Sequence, residues 1–208
     1  MKLYDPATCQ IGSLTGALGN RTGRYEKRLA DLGGLYRDEA AFKRAVATEV
    51  DRIVYAVEEF RPTEAPGDLI FGVTHMEPGR IGDEYFMTRG HIHRVANRPE
   101  IYQGMSGKGL MLMESPEGET RIVEIVPQTV CYVPPFWIHR SVNTGTEPFV
   151  TFFCYPSDSG QDYEIISRSG GMRSRIVAGE GGGWATREND LYRPRSTDEV
   201  ATVTATAR

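Results

Sequence analysis

From Gly67 to Ile166 the chain is a succession of short β-branched and aromatic runs: LIFGVT, EYFMT, LMLM, RIVEIV, VCYV, FVTFFCY and YEII. Glycine, proline, asparagine and aspartate separate them. Short apolar runs with this punctuation read as closely spaced strands. So many strands in so short a stretch favour closure into a barrel or double-sheet jelly roll, because closure removes exposed edges. The expected fold is all-β, with the barrel over residues 61–181.

The first sixty residues have a different texture. Phe42, Val46, Val50, Ile53, Val57 and Phe60 recur at intervals of three and four, which predicts one amphipathic helix over 38–60. Arg61-Pro62 ends it, since proline disfavours helix in the residue before it. A shorter helical piece is expected over 25–32, stopped by Gly33-Gly34. Residues 1–60 are therefore expected to form a helical extension packed on the barrel. Residues 182–208, ending in STDEVATVTATAR, are weakly patterned and are expected to be disordered. A length of 208 residues suits one domain with decorations.

The 24 basic and 28 acidic residues give a net charge of −4, with no basic block to grip nucleic acid or an anionic membrane. A small-molecule partner is the expectation. A polar N-terminus and the lack of any run of 18 apolar residues predict neither a secretion signal nor a membrane span, hence a cytoplasmic protein. Cys9, Cys131 and Cys154 have no metal-ligand spacing and read as reduced thiols.

The chain has four histidines, and His91 and His93 stand two apart in TRGHIHRVANRPEIYQGMSGKG. Alternation along an extended segment puts both imidazoles on one face. A turn through Asn97-Arg98-Pro99 brings Glu100 back beside them, and YVPPFWIHRSVN delivers His139 after a rigid Pro134-Pro135 corner. Three imidazoles and a carboxylate with open positions suit Fe(II), Mn(II), Ni(II) or Zn(II), and nitrogen and oxygen donors alone do not choose among these. His75 has no spaced partner and is expected to be a non-ligand. Phe136 and Trp137 are expected in the core.

These two segments resemble the two cupin motifs, G-x-H-x-H with a following glutamate and P-x-x-x-H-x-x-x-N. EYFMTRGHIH together with YVPPFWIHRSVN, and also DLGGLYRD, GDLIFGVT, EIYQGMSGKG and YPSDSGQDY, resemble more narrowly the cupin-type (archaeal-type) glucose-6-phosphate isomerases. The resemblance implies a β-barrel homodimer with one divalent metal per subunit, Fe(II) first, held by His91, His93, Glu100 and His139. It implies interconversion of glucose 6-phosphate and fructose 6-phosphate, through an enediolate with Glu100 as the catalytic proton shuttle or through a metal-assisted hydride shift. It further implies phosphate contacts at Thr74, Thr88 and Gly90, and sugar contacts at Tyr102 and Tyr155.

Gln161 stands where the family commonly has a histidine; it is expected in the substrate site, able to hydrogen-bond and unable to titrate. Arg89 replaces a lysine of some members and keeps the charge. Two other readings stay open on the ligand set alone: an Fe(II) cupin dioxygenase, and a non-catalytic sugar-phosphate-binding cupin. The phosphate-contact threonines argue against the first. The lack of a visible helix-turn-helix with a basic face argues against a DNA-binding sensor.

Overall fold

A computed structural model describes residues 3–13, 15–63 and 65–205. The strands in chain order are β1 (Gly23–Arg28), β2 (Ile53–Phe60), β3 (Leu69–Met76), β4 (Arg80–Ile81), β5 (Glu84–Tyr85), β6 (Glu100–Ser106), β7 (Gly109–Glu114), β8 (Thr120–Ile125), β9 (Val130–Val133), β10 (Ile138–Asn143), β11 (Phe149–Pro156), β12 (Ser174–Ala178) and β13 (Trp184–Glu188). The helices are α1 (Glu39–Thr48), α2 (Glu164–Arg168) and α3 (Thr197–Ala205).

One layer is a six-stranded sheet of order β1-β2-β3-β11-β6-β9. The other combines β10-β7-β8 with β13-β12-β5-β4, joined where Met87, just past β5, bridges Val142 of β10. One continuous apolar cluster, including Ile70, Met76, Leu110, Met111, Ile138 and Phe149, fills the space between the layers. This is the all-β barrel expected from the strand spacing, and it suits the cupin type that the two histidine motifs resemble. No helix among the described residues is long and apolar enough to cross a membrane.

The helix expected over 38–60 forms only in its first half. Asp38 caps α1 by accepting from the Ala41 amide at 2.8 Å. Residues 53–60 instead form β2, paired with β1 on one side and β3 on the other. The β-branched and aromatic Ile53, Val54, Tyr55 and Val57 suit a pleated sheet flanked on both sides, and that pairing overrides the helical spacing. Residues 25–32 differ likewise: they supply most of β1 and then a single 3-10 turn over Leu29–Leu32. The extension expected to be helical therefore contributes two barrel strands.

YEII, expected as a strand, instead supplies the N-cap Tyr163 and the start of α2, whose first amides at Glu164 and Ile165 are held by Asp162 Oδ1 at 2.9 and 3.3 Å. The tail expected to be disordered contains β13 and α3, and Arg195 anchors it through a buried ion pair with Glu114 at 2.8 Å. The same expectation for residues 206–208 lies outside the described residues.

A second, smaller cluster of Leu18, Phe60, Val73 and Val150 covers the outer face of the six-stranded sheet. Cys9 and Ile11 pack against it, and the Ile11–Leu18 bridge is tied by Gly19 N–H donating to the Gln10 carbonyl at 2.8 Å. Apolar residues on both faces of β3 follow from this two-sided burial.

Candidate metal centre

His91 and His139 occupy facing positions of an antiparallel bridge, each amide donating to the other's carbonyl at 3.0 and 2.9 Å. Gly90 makes that approach feasible. Its φ is +71°, and a Cβ there would stand 2.9 Å from the His139 carbonyl oxygen and 2.9 Å from Arg140 Cβ. His93 follows two residues later on the same face as His91. The turn after it, closed by Arg98 N–H donating to the Val95 carbonyl at 3.0 Å, delivers Glu100 at the start of β6.

One donor atom from each of His91, His93, Glu100 and His139 falls within 4.8 Å of the other three. Their common focus is Glu100 Oε2, which lies 3.1 Å from His139 Nε2, 3.2 Å from His93 Nε2 and 3.9 Å from His91 Nε2. Glu100, His93 and His139 are buried, whereas His91 keeps 12 % of its side chain exposed.

The outer hydrogen bonds decide what these atoms can hold. His93 Nδ1 lies 2.7 Å from the Arg98 carbonyl and His139 Nδ1 3.0 Å from the Trp137 carbonyl. A carbonyl only accepts, so both Nδ1 atoms carry the proton and both Nε2 lone pairs point at the carboxylate. With neutral imidazoles, lone pairs converging on an anion are satisfied by a cation between them. His91 Nε2 and His93 Nε2 are buried with no hydrogen-bond partner among the described residues, and one divalent ion would satisfy both. The residues present therefore fit a metal.

Burial, and then the neighbouring His139, pushes the His91 imidazole well below its ordinary range, so it favours the neutral form that ligates. Burial alone would raise the Glu100 carboxyl, but with no metal in place hydrogen bonds and positive charge from protonated His139 and His93 outweigh it and lower the group. Tyr102 is displaced upward, first by burial and then by the Glu100 charge beside it.

His91 and Glu100 open onto a cavity of about 220 Å³. Thr74, Thr88, Gly90, Tyr102, Tyr155 and Gln161 all line it, so the structure brings together every residue expected in the substrate site. Thr88 is fixed against Ser141 by a reciprocal pair, its amide donating to the Ser141 carbonyl at 3.0 Å and its Oγ1 accepting from the Ser141 amide at 3.1 Å. Gln161 accepts a hydrogen bond from the Tyr163 hydroxyl. Arg89 stacks over the Tyr163 ring at 5.6 Å, facing the same space. His75, on the outer face of β3, is not part of the cluster.

Sequence reasoning missed Tyr25, Tyr55, Val57, Glu59, Arg61 and Ser141, which also line the cavity. The signal for four of them was present. Residues 55, 57, 59 and 61 alternate, as a strand facing a cavity requires, but the helical reading of 38–60 hid that period of two.

Comparison with known proteins gives the site a family. The model of the Glucose-6-phosphate isomerase (GPI) family matches residues 26–194. The chain belongs to this family. It is 58% identical over 200 residues to "Putative glucose-6-phosphate isomerase 1" of Rhizobium meliloti (strain 1021), covering 96% of this chain and 94% of that one. It is 59% identical over 200 residues to "Glucose-6-phosphate isomerase" of Sinorhizobium medicae (strain WSM419), with the same coverage. The "Glucose-6-phosphate isomerase" of Thermococcus litoralis is 41% identical over 193 residues, covering 93% of this chain and all of that one. The glucose-6-phosphate isomerase family resemblance in EYFMTRGHIH and YVPPFWIHRSVN thus extends over nearly the whole chain.

Proposed function

We propose that the chain is a metal-dependent aldose-ketose isomerase that interconverts glucose 6-phosphate and fructose 6-phosphate. The observation that carries this reading is a single one: the histidine and glutamate cluster opens on a cavity whose wall also presents Thr74, Thr88 and the Gly90 backbone. His91, His93, Glu100 and His139 would hold one divalent ion, with Fe(II) first and Mn(II), Ni(II) and Zn(II) as alternatives. Bound there, the ion supplies Lewis-acid stabilisation of charge developing on the sugar oxygens.

The chain's own residues do the rest. Thr74 and Thr88 hydroxyls and the Gly90 amide donate to the phosphate, with Arg89 supplying charge. Tyr102 and Tyr155, both kept protonated by burial, offer hydroxyl donors to the sugar chain. Glu100, ionised and at the cavity wall, takes the proton from one of the C1 and C2 carbons and returns it to the other. Gln161 orients a sugar hydroxyl without exchanging protons.

The test is a coupled assay of metal-stripped protein with both sugar phosphates, before and after adding each of the four metals. Turnover restored by metal is expected. Folded, metal-loaded protein that turns over neither sugar phosphate, or that consumes oxygen with diols instead, would overturn the proposal. Reaction in deuterated water addresses Glu100 separately: carbon-bound deuterium in the product is expected, and its absence favours hydrogen moving directly between the carbons. The proposal includes a homodimer, for which edge strand β9 offers Val130 and Tyr132, 60% and 55% exposed. A monomer mass by light scattering would remove that part.

A further inference from the structure

Behind the wall of the sugar-phosphate cavity lies a second cavity, of about 260 Å³, which shares Arg89 and Tyr163 with it. Its body is apolar, formed by Leu112, Val142, Ile166, Met172 and Ile176. Arg140, only 6% exposed, projects from β10 into this setting.

The charges around it do not balance. Glu84 is the carboxylate among the described residues that line the cavity. It is already taken, accepting from Arg175 Nη1 at 2.7 Å and from the Arg37 amide at 2.5 Å. Arg140 has neutral partners, donating from Nη2 to the Arg89 carbonyl at 2.7 Å and from Nη1 to Met87 Sδ at 2.9 Å. Its Nε–H is buried with no acceptor among the described residues. An uncompensated buried guanidinium is costly unless an anion or well-placed acceptor meets it.

We propose that this cavity binds a small monocarboxylate with an apolar body, its carboxylate on the Arg140 guanidinium and its chain against Leu112, Ile166 and Ile176. With Glu84 matched to Arg175 and Arg89 lying over the Tyr163 ring, Arg140 is the buried guanidinium on this wall without an anionic hydrogen-bond partner, so the site suits a small anion whose apolar part meets the aliphatic wall. Gly33, Gly34 and Leu191, all exposed, form the rim through which it enters, with Leu35 beside them. Occupancy acts on the neighbouring site through Arg140. A carboxylate that draws the guanidinium towards itself loosens its hold on the Arg89 carbonyl, next to Gly90, and raises KM for the sugar phosphate.

Sodium hexanoate is the probe, with hexanamide as its neutral counterpart, titrated by calorimetry into the metal-loaded full chain saturated with fructose 6-phosphate. Saturating substrate keeps hexanoate off the metal. One hexanoate per subunit is expected, with hexanamide, Arg140→Gln and Leu35→Trp each binding about tenfold more weakly or worse. Leu35→Trp narrows the entrance without touching Arg140 and is expected to keep wild-type turnover when hexanoate is absent, which covers the case of Arg140→Gln failing to fold. Equal binding of the amide, undiminished hexanoate binding by Leu35→Trp, or no binding at millimolar hexanoate, which would leave water as the occupant, each overturns the proposal.

Discussion

His139 and Glu100 meet through one pair of atoms, Nε2 and Oε2, 3.1 Å apart in a site where the two residues are 2% and 3% exposed. With the His139 Nδ1 proton directed at the Trp137 carbonyl, a neutral imidazole turns its Nε2 lone pair on the carboxylate, an arrangement that a shared cation satisfies. His139→Ala removes one of the four donors, and His91→Ala another. Both variants are expected to keep the fold and to retain less than about a tenth of the wild-type metal on purification. In the wild type, chelation is expected to lower the melting temperature, since about 2.7 kcal/mol is lost with an ion present at a hundred times its Kd. Full metal content in folded His139→Ala would remove the assignment.

The orientation of His93 depends on a salt bridge outside the cluster. Arg98 supplies the carbonyl that fixes His93 Nδ1, and its guanidinium is clamped by Asp158 at 2.7 and 3.0 Å. The pair is partly exposed, so its direct contribution to folding is below about 1 kcal/mol. Its effect on metal affinity is expected to be larger, because it holds the turn that aims His93. Asp158→Ala is expected to weaken metal affinity by about tenfold with little change in melting temperature. Combining it with Arg98→Ala adds little more, and additive losses in a double-mutant cycle would count against the coupling.

The cluster that could hold a metal was legible in the sequence because each donor is set by short-range rules: alternation for His91 and His93, a proline turn for Glu100, and a rigid corner for His139. The residues proposed to contact substrate became legible only through family resemblance, since Thr74 on β3 and Tyr155 on β11 line one cavity through a strand pairing that local patterning does not encode. The stretch over 38–60 misled because Val46, Val50, Ile53 and Val57 satisfy a helical spacing while Tyr55, Val57 and Glu59 satisfy a strand. Only the neighbouring strands β1 and β3 decide between the two. The tail misled for a related reason: Arg195 gains its order from Glu114, 81 residues away.

His75 offers a pH signature away from the metal. Half-buried on the outer face of β3, it titrates below the ordinary 6.5, first because of burial and against the pull of Glu58. Folding therefore disfavours its protonated form. The associated stability is complete above pH 6.5 and is lost as pH falls from there through the lower folded-state value. His75→Gln is expected to flatten that part of the stability curve, measured by urea unfolding from pH 7 down to pH 5, roughly the span over which histidines titrate. An unchanged slope would mean that other groups produce the acid sensitivity.

Arg195 and Glu114 carry the strongest stability prediction. Their side chains are 3% and 1% exposed, and Glu114 also accepts from the Arg173 amide at 2.5 Å. Arg195→Ala leaves the carboxylate buried without its cation, which costs about 3–5 kcal/mol. It also releases the segment leading into α3, so protease cleavage near residue 195 is expected to accelerate alongside the fall in urea midpoint. The double change Arg195→Met with Glu114→Leu removes both charges and fills similar volume, and is expected to recover most of the loss. A double variant as unstable as Arg195→Ala would show that the tail is held by the ion pair's geometry and not by charge compensation alone.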